Sequence, residues 1–222
     1  MTRTRWIIFI LLCLGILGLI VVINKKNSGS NYAGDASKVI TEGPIADHVF
    51  GSDKQKVVLI EYGDYQCPGC ESVYPILKEI TEQHKDRLTF IFRNFPLTNK
   101  HPNALAAATA AEAAGLQGKY YEYHDILYGN QQAWEAASGS DRSKFFEDYA
   151  KQLGLNVGQF KTDLSSSNIS AKISRDRSTG KNFSVDSTPT LVLNGEKISQ
   201  DIVFDKTKFN NLIEDELKKA GL

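Results

Sequence analysis

The sequence has little cysteine and no excess of charge of either sign. Of its 222 residues only three are cysteine, and 26 basic side chains balance 26 acidic ones, which gives a formal net charge of +0 at pH 7. It has no internal repeat and no low-complexity block apart from an alanine-rich stretch at 104–114. A net charge of zero gives no reason to expect nucleic acid as a partner.

The few cysteines and histidines do not suit a structural zinc site. Two cysteines form Cys67-Pro68-Gly69-Cys70, and such a site needs two further ligands, usually as a second close pair. The third, Cys13, lies in an apolar segment, and no two of the four histidines lie within five residues of each other. Glu71 directly after the pair excludes a c-type haem attachment. We therefore predict a redox pair, with no metal and no bound cofactor.

An uncharged apolar segment occupies residues 6–23. As a helix it would be roughly 27 Å long, close to the ~30 Å hydrocarbon core of a bilayer. Secretory signals have a shorter apolar region and a small-x-small cleavage site, which the following sequence does not place correctly. We therefore predict an uncleaved transmembrane anchor at 6–23 behind a cytoplasmic tip at 1–5. A cleaved signal peptide is the alternative.

The polar, Gly- and Ser-rich stretch at 24–37 predicts a flexible linker to one domain at 38–222. Basic residues are nearly balanced across the apolar segment, so the positive-inside rule orients it only weakly. Outside that segment the only cysteines are the pair itself, and a tethered thiol-exchange domain suits a compartment where disulfides persist. We expect a single-pass cell-membrane protein with an extracytoplasmic domain.

The Cys-x-x-Cys pair lies between a predicted strand at 56–62 and a predicted helix at 68–84. Cys67 is then expected at the helix N-cap, with Pro68 at the first helical position. Free amides and the positive dipole end stabilise a thiolate there, whereas the more buried Cys70 keeps a higher pKa. Cys67 is the predicted sulfur that exchanges with a partner, and Cys70 resolves the mixed disulfide.

The rest of the domain alternates between strand and helix patterns. A β-rich run at 88–92 is expected to pair in parallel with the first strand, because only a short helical crossover separates them. A long helical region follows at about 101–182. A hairpin around Asn194-Gly195 and an amphipathic helix at 206–220 close the chain.

This order of elements resembles the thioredoxin fold, and the helical interruption resembles its DsbA-like branch. The resemblance covers residues 43–222. The segments that carry it are Ile60-Glu61-Tyr62-Gly63-Asp64-Tyr65-Gln66-Cys67-Pro68-Gly69-Cys70, Phe95-Pro96-Leu97 with His101, Gln117-Gly118-Lys119-Tyr120-Tyr121-Glu122 with His124-Asp125, and Ser187-Thr188-Pro189-Thr190. It implies an α/β thioredoxin fold, a central mixed sheet flanked by helices, with a helical insertion at about 98–183.

The resemblance also implies roles for residues outside the cysteine pair. Thr188-Pro189 corresponds to a cis-proline loop that faces the cysteines and pairs with an extended substrate peptide. Glu61 stands where DsbA-like proteins carry a buried glutamate, and alternation along the strand places it on the inward face with Val57 and Leu59. There it would exchange a proton with Cys70. The alternative is a solvated glutamate at the strand end.

Aromatic and histidine side chains are weaker candidates. Tyr65 is a candidate for lining the substrate groove, together with Tyr120, Tyr121, Tyr123 and Trp134, and core packing is the alternative. We interpret His101 and His124 as packing or capping groups. Gly69 stands where proteobacterial DsbA carries a histidine, and this difference predicts a milder oxidant.

The sequence therefore predicts an enzyme, a membrane-anchored thiol-disulfide oxidoreductase that introduces disulfides into exported or surface proteins. The resemblance implies a membrane quinone-linked thiol oxidase as the partner that reoxidises it. One alternative is a reductase or isomerase of the same fold, although isomerases of this type usually add a dimerisation domain. Another is a tethered peptide-binding holdase whose cysteine pair is a structural disulfide.

Overall fold

A computed structural model of the chain describes residues 35–222. The predicted cytoplasmic tip, the anchor at 6–23 and all of the linker before residue 35 lie outside this range. Within 35–222, no helix combines the length and the apolar character needed to cross a membrane.

A five-stranded mixed sheet with the order β1-β3-β2-β4-β5 forms the centre of the domain. Its strands are β1 (Val49–Gly51), β2 (Val58–Gly63), β3 (Thr89–Asn94), β4 (Thr190–Leu193) and β5 (Glu196–Lys197). β2 and β3 pair in parallel, as predicted, and β4 runs antiparallel to β2. The sequence pattern does not predict the edge strand β1, antiparallel to β3, because three residues carry too little periodicity.

Helices surround this sheet. They are α1 (Pro68–Gln83), α2 (Ala104–Gly115), α3 (Tyr120–Gly129), α4 (Gln131–Trp134), α5 (Gly139–Gln152), α6 (Val157–Asp163), α7 (Ser167–Lys181), α8 (Gln200–Val203) and α9 (Lys206–Lys219). Helix α1 joins β2 to β3, and α2 to α7 lie between β3 and β4, where the sequence predicts an insertion. Helix α9 closes the chain at the predicted position.

Alternation along β2 assigns its side chains to two hydrophobic clusters. All six residues of β2 are buried, as expected of a central strand. Leu59 packs in the larger cluster with residues of α1, whereas Ile60 and Tyr62 pack in the smaller cluster on the other face. Because successive side chains point to opposite faces, Glu61 lies on the same face as Leu59 and α1. The predicted inward orientation of Glu61 is thus confirmed.

The β4–β5 hairpin turns at Asn194 and Gly195, which have φ values of 50° and 91°. Two successive residues with positive φ define the type I′ turn that matches the twist of the flanking strands. Asn-Gly is the dipeptide that adopts this conformation most readily, so the predicted hairpin forms for the expected reason.

The segment before β1 is held by a buried ion cluster. Arg93 of β3 pairs with Asp47 at 2.8 Å, and Lys172 of α7 lies 3.3 Å from the same carboxylate. Arg93 also donates to the carbonyl oxygen of Ala36, which is 5% exposed. The linker predicted to extend to Ser37 is therefore corrected at its end, because the chain already packs on the domain at Ala36.

Candidate active site

Cys67 begins helix α1 as its N-cap residue, and Pro68 occupies the first turn. Its backbone is extended, with φ −78° and ψ 123°, and its carbonyl accepts the first helical hydrogen bond from Glu71 N at 3.1 Å. Cys67 is 7% exposed and Cys70, one turn further, is fully buried. Both are free thiols. The predicted asymmetry in placement is confirmed.

The pKa of Cys67 is lowered to about 5, mainly by a hydrogen bond with the Cys70 side chain. Burial opposes this effect. The backbone N–H groups of Cys70 and Gly69 lower the pKa further. These two amides belong to the open end of α1, where a helix stabilises negative charge. At neutral pH Cys67 is therefore mostly thiolate, which is the reactive form.

Cys70 behaves in the opposite way. Burial raises its pKa well above the usual value of 9.0, and the hydrogen bond with Cys67 and the Glu61 carboxyl raise it further. The proton of the hydrogen bond between the two sulfurs thus stays on Cys70, and this hydrogen bond stabilises the negative charge on Cys67. Such a pair has one nucleophile that is ready to attack and one thiol that must lose its proton before it reacts.

Glu61 is an acidic group that faces this buried thiol. It is 2% exposed, and burial is the main cause that raises its pKa to about 8, with the charge on Cys67 as a second cause. A hydrogen bond with Cys70 acts in the other direction. Glu61 is therefore protonated at neutral pH and in reach of Cys70. Gly63, two residues on, leaves the space for it, since a Cβ there would lie 3.0 Å from Glu61 Oε1.

The loop before β4 lies against the cysteine pair. The Thr188–Pro189 peptide bond is cis, as predicted, and Cys67 Sγ lies 3.3 Å from Thr188 O. A Cβ on Gly69 would lie 3.2 Å from Pro189 Cδ, so a residue larger than glycine would press on this loop. Helix α8 supports the loop from behind, because Gln200 Nε2 donates to Pro189 O at 3.0 Å.

A polar network that the sequence analysis missed holds the loop ahead of Cys67. Gln131 of α4 donates to Tyr65 O at 2.8 Å and to Cys67 O at 3.2 Å. Asp64 accepts from Gln66 N at 2.8 Å and from His101 Nδ1 at 2.7 Å. The insertion thus positions the nucleophile. Asp64 and Gln66 lie inside the motif that carries the resemblance, but no local pattern singles out Gln131.

The structure corrects the assignment of Tyr65 to a substrate groove. Tyr65 is 1% exposed and its hydroxyl contacts His124 Nδ1 at 3.2 Å. Its ring packs 4.9 Å from that of Phe92 and 5.1 Å from that of Tyr128. Tyr65 is therefore a core residue, as its flat apolar ring favours. His124 is likewise buried, and burial lowers its pKa to about 3, which keeps it neutral.

The fold and the site together define a class of protein, a thioredoxin-like domain with a redox-type cysteine pair at the head of its first long helix. The thioredoxin family matches residues 44–215 of this chain. The chain therefore belongs to this thioredoxin family.

Among curated proteins, the chain is similar to parts of much longer transporters. It is 35% identical over 154 residues to the Na(+)/H(+) antiporter NhaA 1 of Salinispora arenicola, which covers 69% of this chain and 22% of the antiporter. For NhaA 1 of Mycolicibacterium gilvum it is 35% identical over 156 residues, which covers 69% of this chain and 24% of the antiporter. The chain thus spans less than a quarter of the length of these relatives.

Several solved structures have a similar fold. BdbD from Bacillus subtilis, in oxidised form, superimposes with a TM-score of 0.66 at 24% identity, covering 78% of this chain and 93% of BdbD. A thioredoxin-like oxidoreductase from Silicibacter pomeroyi gives 0.62 at 22% identity, covering 78% and 91%. The thiol-disulfide exchange protein alpha-DsbA2 from Wolbachia pipientis gives 0.63 at 20%, covering 78% and 86%. At these identities the likeness establishes the DsbA-like thioredoxin fold.

Proposed function

We propose that this protein is a thiol-disulfide oxidoreductase that oxidises cysteine pairs of exported proteins through Cys67 and Cys70. The observation that carries the proposal is the opposite displacement of the two thiol pKa values, with Cys67 at about 5 and Cys70 raised. A pair that only linked two parts of the chain would need no such difference. The structural neighbour named a thiol-disulfide exchange protein supports the same chemistry.

The reaction starts from the Cys67–Cys70 disulfide. A substrate thiolate attacks Cys67 Sγ, the bond between the two sulfurs breaks, and Cys70 leaves as a thiolate that takes a proton from Glu61. A second substrate thiolate attacks the substrate sulfur of the mixed disulfide, and Cys67 leaves as a thiolate. Two electrons pass from the substrate to the enzyme. Of the two substrate thiol protons, one replaces the Glu61 proton and the other is released to solvent.

The stability of the Cys67 thiolate favours this direction of electron flow. A thiol with a low pKa stabilises the reduced enzyme, and a stabilised reduced form makes the disulfide a stronger oxidant. Gly69 moderates the effect, because glycine contributes no positive side chain beside the sulfur. We therefore propose an oxidant that is milder than relatives with histidine at this position.

The substrate peptide is proposed to bind in extended form along Thr188 and Pro189. Strand-like pairing with this loop would bring a substrate cysteine to Cys67. The proposed location is the extracytoplasmic face of the cell membrane, with the segment at 6–23 as the anchor. A membrane quinone-linked thiol oxidase is the proposed partner that restores the disulfide.

The test is the reduction potential of the full-length protein in equilibrium with glutathione, followed by oxidation of a reduced peptide with two cysteines. We expect a potential well above the approximately −270 mV of thioredoxin and stoichiometric formation of peptide disulfide. The Cys67→Ala variant is the control and should form none. A potential at or below that of thioredoxin, with no net peptide oxidation, would contradict the proposal.

A further inference from the structure

A cavity of about 40 Å³ lies between helices α1 and α3 and the sheet. Residues from β1, β2, β3, α1 and α3 line it, namely Phe50, Glu61, Tyr74, Leu77, Lys78, Thr81, Glu82, Phe90, Tyr121, His124 and Asp125. Among these described residues there is none from the cysteine pair or from the Thr188–Pro189 loop. The cavity therefore approaches Glu61 from a side other than the one where Cys67 meets its substrate.

The two ends of the cavity differ in exposure. At the outer end Lys78 and Asp125 form an ion pair of 2.7 Å, with side chains that are 47% and 36% exposed. Lys78 also contacts the hydroxyl of Tyr74 at 3.2 Å. At the inner end lies Glu61, which is 2% exposed. The cavity thus leads from a charged, solvated rim to a carboxyl group in the core.

The inner end holds an unpartnered polar atom. Within residues 35–222, Glu61 Oε1 has no hydrogen-bond partner although it is fully buried. A buried carboxyl oxygen without a partner is costly, and such groups are usually satisfied by water. A water needs about 10–15 Å³ and two or more polar contacts, so the cavity of about 40 Å³ that Glu61 lines has room for water.

The proposed reaction needs a route by which solvent protons reach Glu61 without passing the Cys67 side. Cys70 is 0% exposed, and a bound protein substrate would cover the Cys67 side throughout the life of the mixed disulfide. Glu61 gives its proton to Cys70 during that interval, which leaves a carboxylate in the core that takes up a proton again at neutral pH, because its pKa is raised to about 8. Solvent protons would therefore have to reach the carboxylate from elsewhere.

We propose that this cavity is hydrated and is the route by which Glu61 exchanges protons with solvent while a protein substrate occupies Cys67. The inference rests on the proposed function and adds the path that function requires. A hydronium ion at the rim passes a proton through the cavity water to the Glu61 carboxylate and becomes water, and Glu61 passes a proton to the Cys70 thiolate. Reoxidation reverses both transfers. No electron moves in these steps.

Other titratable groups also face Glu61. They are Cys67 and Cys70 at the start of α1, Tyr65 in the preceding loop, Tyr121, His124 and Tyr128 on α3, and Lys78, Glu82 and Asp125 at the rim. Burial keeps His124 neutral and raises the pKa values of Tyr65, Tyr121 and Tyr128, so these groups keep their protonation state near neutral pH. In that range Glu61 is the group inside the cavity that changes charge.

The test fills the cavity from two different elements of the full-length protein, α1 and β1. Thr81→Met extends a flexible side chain from α1, and Phe50→Trp enlarges a ring on β1 that packs 5.3 Å from that of Tyr121. Thr81→Val is the matched control, because valine keeps the volume of threonine. The hydroxyl that it removes is already bonded to Lys78 O at 3.2 Å. Carbon-13 NMR of the Glu61 carboxyl gives its pKa, and stopped-flow kinetics give the rate of peptide oxidation.

We expect both filled variants to raise the Glu61 pKa by about one unit, since expelling water disfavours the charged carboxylate. Peptide oxidation should slow by roughly tenfold. The Cys67 pKa, read from thiolate absorbance, should stay constant, as should every value in Thr81→Val. An unchanged Glu61 pKa and rate in both filled variants would overturn the proposed route. Failure of the unmodified protein to oxidise the peptide would instead overturn the proposed function.

Discussion

The Cys67 Sγ atom and the carbonyl oxygen of Thr188 lie 3.3 Å apart, although the two residues are separated by 121 positions in the sequence. The thiol donates to the carbonyl in the protonated form. The backbone that is proposed to align a substrate peptide is therefore in direct contact with the sulfur that the substrate thiolate attacks. Positioning of this kind shortens the approach of the reacting groups without any further movement of the chain.

The difference in reactivity between the two thiols is the most direct prediction. In the reduced protein, Cys67 should alkylate at pH 6 much faster than Cys70, because its pKa is lowered to about 5 whereas burial raises that of Cys70. Mass spectrometry of peptides after timed alkylation measures both rates. Cys70→Ala should remain reactive and Cys67→Ala should not. Equal rates at the two positions would contradict the assignment.

The order of thiol attack predicts which variant traps its substrates. Cys70→Ala cannot form the Cys67–Cys70 disulfide, so its Cys67 thiolate attacks a disulfide of an exported protein and one substrate sulfur leaves as a thiolate. The resulting mixed disulfide lacks the Cys70 thiol that would resolve it, so covalent complexes should accumulate. These complexes appear as reducible high-mass bands on non-reducing gels. Cys67→Ala is the control and should trap none. Trapping by Cys67→Ala in place of Cys70→Ala would reverse the proposed roles.

Glu61 predicts a pH dependence of stability. Its carboxyl stays protonated up to about pH 8 in the folded state, against a usual value of 4.5, so the folded protein binds more protons between these limits. Its contribution is fully present below pH 4.5, and the free energy of unfolding falls as pH rises to about 8. Each unit of pKa corresponds to about 1.4 kcal/mol. Glutamine does not titrate, so Glu61→Gln should remove this pH-dependent fall in the free energy of unfolding.

Urea unfolding of the oxidised protein measures the part of this effect that comes from burial, the largest cause, because in the disulfide Cys67 carries no charge and Cys70 makes no hydrogen bond to Glu61. As pH rises from 4.5 to 8.5, the range that brackets the shift, the free energy of unfolding of Glu61→Gln should increase by several kcal/mol relative to that of the parent protein. Glu82→Gln, exposed at the cavity rim, is the control and should change little. Parallel pH curves for Glu61→Gln and the parent would show that the carboxyl titrates normally.

Sequence patterns predict the parts of this structure that depend on local chemistry. Cys67 at a helix N-cap, Asn194-Gly195 at a hairpin and the inward orientation of Glu61 each follow from spacing or turn geometry. Contacts between distant elements lack such a signal. Gln131 contacts the active-site loop from 64 residues away, and Tyr65 lies in the core because the insertion covers it. Both outcomes depend on where the insertion packs.

The apolar segment at 6–23 predicts a membrane protein. Full-length protein should fractionate with membranes and resist extraction by alkaline carbonate, because an uncharged segment of roughly 27 Å matches the bilayer core. Immunoblotting of the membrane and soluble fractions measures this. A shorter, processed form in the soluble fraction would mean that the segment is a signal peptide.

The buried ion cluster at Asp47 predicts a large effect on stability that is separate from catalysis. Asp47 lies 2.8 Å from Arg93 and 3.3 Å from Lys172, and these cations hold its pKa at about 2 although burial opposes them. Asp47→Ala leaves both cations buried with one partner fewer, so we expect a loss of about 3–5 kcal/mol in the free energy of unfolding.

Urea unfolding measures this loss, and the alkylation rate of Cys67 under native conditions should stay unchanged because the cluster lies outside the cysteine site. Asp35→Ala is the matched control. Asp35 pairs with Lys38 at 3.3 Å, but the side chains are 53% and 68% exposed, and such surface pairs contribute about 0–1 kcal/mol. If Asp47→Ala cost no more than Asp35→Ala, the segment before β1 would not depend on this cluster for its attachment to the domain.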